Sequence, residues 1–191
     1  MALTENPRNI GKDSFKTWFN RPFSMNDILM MKDIVVQRSE LISQAVEIAA
    51  GGSTREARTA AWLLTHLADD DPMLLMENQT RIIEIALSTP SDSIRRDLLR
   101  IILRLPLPEA YLGPLYENAL NWALNEKYAI AVRANAIQLL GQICEKENGL
   151  AAEVEQYLSP VLDYGSSGLM VRGKKVISRL QKIRQNVDVN Q

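Results

Sequence analysis

A fourfold repeat constrains the fold of this chain more than any other feature of its sequence. Four arginines follow one another at intervals of 37, 38 and 39 residues. Each directly follows a small or apolar residue, and an apolar residue stands four positions after each; they are Arg58, Arg95, Arg133 and Arg172. Self-similarity at such a period is typical of arrays in which one supersecondary unit is stacked repeatedly. The core of such a chain forms between neighbouring repeats.

The pattern inside each repeat is helical. Apolar residues recur at steps of three and four, and no alternating run of strand length occurs. Asp71 before Pro72 is a helix-start signal, and Ser53 with Glu56 predicts a capping box. We therefore predict two helices per repeat, at 39–50 and 54–68, 72–88 and 92–105, 109–124 and 127–146, and 150–163 and 167–185.

The third repeat carries the most specific pattern. Residues 113–125 read GPLYENALNWALN, with an early proline in an apolar helix, and residues 132–141 read VRANAIQLLG. This pattern resembles the HEAT repeat, and residues 158–172 are a weaker match. The first two repeats keep the arginine without the valine, and the first also lacks the proline. Over 39–185 the resemblance implies an all-α, right-handed α–α superhelix, a solenoid of about four HEAT-like helix pairs.

The ends of the chain differ from the repeats. Phe15, Trp18, Phe19 and Phe23 are spaced to lie on one helix face, and a second helix is predicted at 25–37. These aromatic residues either seal the first repeat or dock a partner. The predicted single domain comprises a cap at 1–38, repeats at 39–70, 71–107, 108–148 and 149–185, and a polar tail at 186–191.

Charge and cysteine content exclude several classes of protein. The 191 residues carry 22 basic and 23 acidic side chains, so the chain as a whole is not a counter-charge for nucleic acid or for a membrane. The single cysteine, Cys144, can form neither an internal disulfide nor a zinc site by itself. We see no secretion signal and no apolar run of membrane-spanning length. We expect a cytoplasmic monomer or weak oligomer with no cofactor, metal or catalytic residue.

Two rows of basic residues are the candidate partner-binding residues. On the second helix of the second repeat they recur every four positions, and on the last helix every three or four. The rows are Arg96, Arg100 and Arg104, and Arg172, Lys175, Arg179 and Lys182. In such solenoids the second helices usually line the concave side, where these rows would attract an acidic peptide or a phosphate backbone. Alternatively, they are solvated helix faces. In the last repeat, Lys175 and Arg179 replace apolar residues of the earlier repeats, which predicts a charged outer surface.

The resemblance implies a non-catalytic scaffold or protein-interaction module that presents a curved helical surface to a protein or peptide. The four repeat arginines are expected to be structural and to bridge neighbouring repeats. The alternative is DNA binding, because some HEAT-like proteins of similar length are glycosylases for alkylated bases. Trp62 and Trp122, with Glu126 one turn after Trp122, are the residues that such chemistry would use. The slightly acidic net charge argues against nucleic acid as the partner.

Overall fold

The structure is a computed structural model that describes residues 12–20, 22–51, 54–163 and 166–189. Within these residues the chain forms ten α-helices, three short 3-10 helices and no strand. The predicted all-α class is therefore confirmed. The chain divides into two compact units, residues 1–105 and residues 106–191.

The first unit contains six α-helices. They are α1 (Lys12–Trp18), α2 (Met25–Val36), α3 (Glu40–Ala49), α4 (Arg55–Asp70), α5 (Gln79–Ser88) and α6 (Asp92–Ile102). Helix α3 packs against α4 and α5 against α6, which gives the two predicted helix pairs. The second helices of the two pairs, α4 and α6, also pack against each other, and α2 packs against α4. Apolar surface is thus buried both within a repeat and between repeats.

The second unit contains four α-helices with the same pairing. They are α7 (Leu112–Leu124), α8 (Ile130–Lys146), α9 (Ala151–Asp163) and α10 (Ser167–Val189). Helix α7 packs against α8 and α9 against α10, while the second helices α8 and α10 pack against each other. Short 3-10 turns at Glu109–Tyr111 and Asn148–Leu150 precede α7 and α9.

The predicted helices 92–105, 109–124 and 127–146 each differ from the structure by three residues at one end, and the largest difference lies at 72–88. Residues 72–88 were expected to be continuous, but Pro72–Asn78 is a 3-10 helix and α5 begins only at Gln79. Leu75 alone is buried in that segment, so packing does little to enforce the wider α-helical turn there. Ser53 lies outside the described residues; the N-cap of α4 is Thr54, whose hydroxyl accepts from the Ala57 amide at 3.1 Å.

The core confirms most of the repeat register. Leu99 and Ile137, four residues after their arginines, are fully buried, and Val176 is 4% exposed. Trp62, four residues after Arg58, does not share this depth, although the repeat pattern predicts that it should: its side chain is half-buried and lies edge-on to His66, with ring centroids 5.6 Å apart. Smaller side chains, including Leu63 and Leu64, fill the packed faces of α4. The indole of Trp62 therefore lies at the edge of these faces, partly in contact with solvent.

Three of the four aromatic residues near the N-terminus are buried, and Phe23 is half-buried. Phe15 and Phe19 have no exposed surface and Trp18 is 5% exposed, while α1 packs against α3. The rings of Phe15 and Phe19 meet edge to face at 5.2 Å, and Phe23 stacks on Phe19 at 5.7 Å. These side chains bury apolar area against the first helix pair, as a cap would, and Phe15 and Phe19 leave nothing for a partner to contact.

Candidate partner-binding surface

Arg96 and Arg100 of the first basic row lie on α6, whereas Arg104 follows the end of that helix, and each of the three has an acidic partner. Arg96 donates from Nε and Nη2 to the carboxylate of Asp97, at 2.8 and 3.0 Å. Arg100 and Arg104 both pair with Asp69 of α4, at 3.3 and 2.6 Å. All three side chains remain about two-fifths exposed, at 43%, 44% and 42%. The row is therefore accessible, but nearby carboxylates offset much of its charge.

Arg104 has a second role at the end of α4. Its Nη1 donates to the carbonyl of Ala68 at 2.9 Å, which satisfies one of the last carbonyl groups of that helix. The sequence showed the arginines but not this partner, which lies 36 residues away. The signal was present: Asp69 lies at the end of one second helix, where a basic residue at the end of the next second helix can reach it.

The three consecutive aspartates each have a separate structural partner. Asp69 pairs with the α6 arginines, and Asp70 pairs with Lys32 of α2 at 2.5 Å, which raises the pKa of that lysine. Asp71 accepts from the Met73 amide at 2.9 Å and caps the following 3-10 helix. Among the described residues, no group of three or more His, Cys, Asp or Glu is arranged to hold a metal ion.

The repeat arginines are structural in two different ways. Arg95, only 6% exposed, donates to the Ala86 carbonyl at 3.3 Å, to the Thr89 carbonyl, and to Asp92 at 3.1 Å. Arg133 donates from Nε to the Ala123 carbonyl at 3.2 Å. Both therefore hold the end of the first helix of their own repeat. The prediction that they bridge to a neighbouring repeat was wrong for these two. The connection between the two helices of a repeat is short, so each arginine lies beside the end of the first helix of its own repeat.

Arg172 does reach a neighbouring repeat. Its Nη1 lies 3.2 Å from the side-chain oxygen of Asn135 on α8. Asn135 is 4% exposed, so this contact joins α10 to a buried polar group of the preceding second helix. The remaining repeat arginine, Arg58, lies on the exposed surface of α4.

The second basic row, along α10, has fewer acidic partners than the first. All four side chains are exposed, and Arg179 pairs with Glu145 of α8 at 3.3 Å. Lys175 and Lys182 have no ion pair with any residue that the structure describes. No acidic residue occurs between positions 167 and 186 of this helix. One face of α10 thus presents two lysines without an intramolecular counter-charge.

The opposite side of α10 is held to α9. Arg184 pairs with Glu155 at 2.7 Å, and Gln181 donates to the other oxygen of the same carboxylate at 2.7 Å. These contacts, first the hydrogen bond from Gln181 and then that from Arg184, lower the pKa of Glu155. Helix α10 is therefore fixed on its α9 side, which leaves the lysine-bearing face in a defined orientation.

Comparison with known proteins identifies the architecture. A family model described as a HEAT repeat domain matches residues 15–180, most of the chain. The chain belongs to the HEAT-repeat family. No curated protein and no solved structure matches it. HEAT repeats typically mediate protein interactions, and the family is generally non-catalytic. No helix among the described residues is both long and apolar enough to cross a membrane.

In this HEAT-repeat chain the residues considered for DNA repair are poorly placed. Trp122 is 1% exposed, so its indole cannot stack on an extruded base. Trp62 is half-buried and packs against His66. Glu126 is exposed, but the tryptophan one turn before it points into the core.

Cys144 is equally unsuited to nucleophilic chemistry. The thiol is completely buried, and burial, followed by the charges of Glu145 and Glu153, raises its pKa to about 11. Because the thiolate is the reactive form, the protonated thiol is inert near neutral pH.

Proposed function

We propose that this HEAT-repeat protein is a non-catalytic interaction module whose α10 face binds an acidic segment of a protein partner. The observation that carries the proposal is the difference between the two basic rows. Asp69 and Asp97 offset the α6 row, whereas Lys175 and Lys182 lack a counter-charge among the described residues. A carboxylate-bearing partner would supply it.

The same helix face also offers an apolar contact. Val171 is 57% exposed and stands four residues before Lys175, so the two side chains share one line along the helix. Exposed ion pairs contribute only about 0.2–1 kcal/mol each, so the lysines would mainly set partner choice and association rate. Burial of Val171 would add about 25 cal/mol for each Å² of apolar surface removed from water.

The other candidate residues take supporting roles in this proposal. Arg172 and Arg179 are tied to Asn135 and Glu145, so they lie at the edge of the binding face. Arg96, Arg100 and Arg104 contribute less to the partner because Asp97 and Asp69 already pair with them, and the pairs with Asp69 also link α6 to α4. The buried thiol of Cys144 fits a reducing compartment, and we place the interaction in the cytoplasm.

The test compares two double reversals of equal charge. Lys175→Glu with Lys182→Glu changes the proposed face, while Lys127→Glu with Lys146→Glu changes two exposed lysines elsewhere in the same unit. Immobilised protein is exposed to an extract of the source cells with and without nuclease, at roughly 0.1 and 0.5 M salt, where the screening length falls from about 10 Å to about 4 Å.

The proposal requires a protein captured by the wild type and the control but lost from the α10 double variant, weakened by salt and unaffected by nuclease. Capture that nuclease abolishes would show a nucleic acid partner instead. Equal capture by the two double variants would show that the α10 face is only a solvated surface.

A further inference from the structure

The second unit contains a pocket of about 300 Å³ where the α7–α8 connection meets the α9–α10 pair. Two charged residues of opposite sign line it, together with apolar side chains from both helix pairs. They are Arg133, Glu126, Leu124, Ile130, Val161 and Leu169. Water occupies about 30 Å³ per molecule in the liquid, so the pocket has room for a group the size of one amino-acid residue.

Arg133 is the less satisfied of two equivalent arginines. Arg95 uses Nε and both Nη groups, and its acidic partner Asp92 stands three residues before it. The residue three positions before Arg133 is Ile130, which has no polar side-chain atom. Arg133 therefore keeps only its Nε contact, to the Ala123 carbonyl, among the described residues.

The two Nη groups of Arg133 are thus available as a pair of parallel donors. A guanidinium that is half-buried and lines a pocket binds a carboxylate in bidentate geometry better than an exposed lysine does. The Nε bond to Ala123 fixes the plane of the group, so less side-chain entropy is lost when a ligand binds.

Glu126 narrows the choice of ligand. Its carboxylate lines the same pocket but forms no ion pair with Arg133 or with any other described residue. An isolated anion at Arg133 would be repelled by Glu126. A ligand that places a cationic group beside Glu126 and a carboxylate beside Arg133 satisfies both.

We propose that this pocket captures the C-terminus of a partner protein that ends in a basic residue followed by an apolar one. The small volume favours a ligand that carries the carboxylate and the apolar side chain on the same Cα atom, and within a protein partner only the chain end does so. The apolar side chain lies among Leu124, Val161 and Leu169, the terminal carboxylate binds Arg133, and the preceding basic side chain pairs with Glu126. This inference rests on the proposed interaction function and gives it a second contact.

The experiment titrates the isotope-labelled full chain with short peptides and follows its backbone amide signals by NMR. The probe is acetyl-Lys-Leu with a free carboxylate, which we expect to bind in the millimolar range and to shift signals around Ile130 and Leu169. Its C-terminal amide should bind roughly tenfold more weakly, because a charged hydrogen-bonded pair is lost. Acetyl-Gln-Leu with a free carboxylate should bind more weakly than acetyl-Lys-Leu, because it has no cationic group to pair with Glu126.

Two protein variants complete the test. Arg133→Lys keeps a donor for the Ala123 carbonyl but loses the bidentate pair, so binding should fall roughly tenfold. Glu126→Gln should make the Lys and Gln peptides bind alike. Because both peptide controls use the wild-type protein, a folding defect in either variant does not affect them.

Equal binding of the acid and its amide, or no shifts near the pocket, would overturn the inference. Equal binding of acetyl-Lys-Leu-Glu-amide would show that an internal carboxylate serves as well, and would overturn the chain-end assignment. The Lys175→Glu, Lys182→Glu protein should bind the peptide as the wild type does. If partner capture depends on those lysines while the peptide fails to bind, only the pocket assignment is wrong.

Discussion

An ion pair of 2.6 Å between Oδ1 of Asp69 and Nη2 of Arg104 joins the last turn of α4 to the turn that follows α6. The same guanidinium donates to the Ala68 carbonyl, so one side chain both neutralises a carboxylate and caps the end of α4. The residues that most resembled a ligand-binding row in the sequence therefore also stabilise the stacking of two repeats.

This relationship predicts that reversing Arg104 destabilises the protein. Arg104→Glu removes the ion pair and the cap and places a second carboxylate beside Asp69, which should cost about 1–2 kcal/mol. Lys175→Glu, which disrupts no described ion pair, should change stability by less than about 0.5 kcal/mol. Urea unfolding measures both values. Equal stabilities would show that the Asp69 pair contributes nothing to the stacking of α6 on α4.

Burial between layers predicts a large difference between two leucines. Leu99 is fully buried and Leu29 is 40% exposed, so the same change to alanine tests position alone. Leu99→Ala should cost about 2–5 kcal/mol, and Leu29→Ala less than about 1 kcal/mol. The midpoints of urea unfolding measure the two costs, provided that the dependence of the unfolding free energy on urea concentration is the same for both variants. A small cost at Leu99 would contradict the repeat alignment on which the fold assignment was first based.

The sequence predicted positions whose role depends on helical periodicity. Leu99, Ile137 and Val176 follow their arginines by one turn, and a period of 3.6 residues is enough to place them on the packed face. Contacts between repeats were not predictable in this way. The pairing of Arg104 with Asp69 depends on how α4 and α6 pack, and the half-buried position of Trp62 depends on which smaller side chains fill the packed faces of α4.

At the candidate site, too, periodicity predicted which residues are exposed but not which of them form ion pairs. The sequence placed the α10 row on an exposed face because its basic residues recur every three or four positions. It could not show that Lys175 lacks an ion pair while Arg179 has one, since that depends on the position of Glu145 on α8. The Arg133 pocket was missed altogether, because the repeat pattern gives Arg95 and Arg133 the same role and hides the absence of a carboxylate at Ile130.

Alkaline pH should destabilise the second unit through Cys144 and Tyr116. Burial raises the pKa of the Cys144 thiol from 9.0 to about 11 and that of the Tyr116 phenol from 10.0 to about 12. Between about pH 9 and 12 the unfolded chain releases these protons first. The stability that is fully present below pH 9 is therefore lost as pH rises through the folded-state values.

Cys144→Ala isolates the contribution of the thiol. Between pH 8 and 11 the wild type should lose about 1–2 kcal/mol more of its unfolding free energy than this variant does. Effects of high pH on lysines and surface ion pairs are common to both proteins and cancel in the difference. If urea titrations showed that both proteins lose the same unfolding free energy between pH 8 and pH 11, the pKa of the thiol would not be raised by folding.

The N-terminal aromatic residues should behave as core. Phe19→Ala removes a fully buried ring that contacts Phe15 and Phe23, and should cost about 3–5 kcal/mol. Lys16→Ala on the exposed side of α1 should be nearly neutral. Thermal unfolding of both variants, and of a chain that lacks residues 1–23, distinguishes the two interpretations. A docking helix would leave the melting temperature of the truncated chain unchanged, whereas a cap would lower it.

Two glycines on α10 give opposite predictions for the same substitution. A Cβ atom on Gly173 would lie 2.2 Å from a methyl carbon of Leu162 on α9 and 2.9 Å from its Cγ, so the leucine would have to move. Leu162 is only 5% exposed, which leaves it little space. Gly173→Ala should therefore destabilise the protein by about 1–3 kcal/mol despite the better helix propensity of alanine.

At Gly168 a Cβ atom would have nothing within 4 Å, so Gly168→Ala should be neutral or should stabilise the protein by up to about 1 kcal/mol. Urea unfolding of the two variants compares a closely packed site inside α10 with an open site in its first turn. If Gly173→Ala stabilised the protein as much as Gly168→Ala, α10 could not pack on α9 as closely as the structure shows. The defined orientation of the Lys175 face would then lose its physical basis.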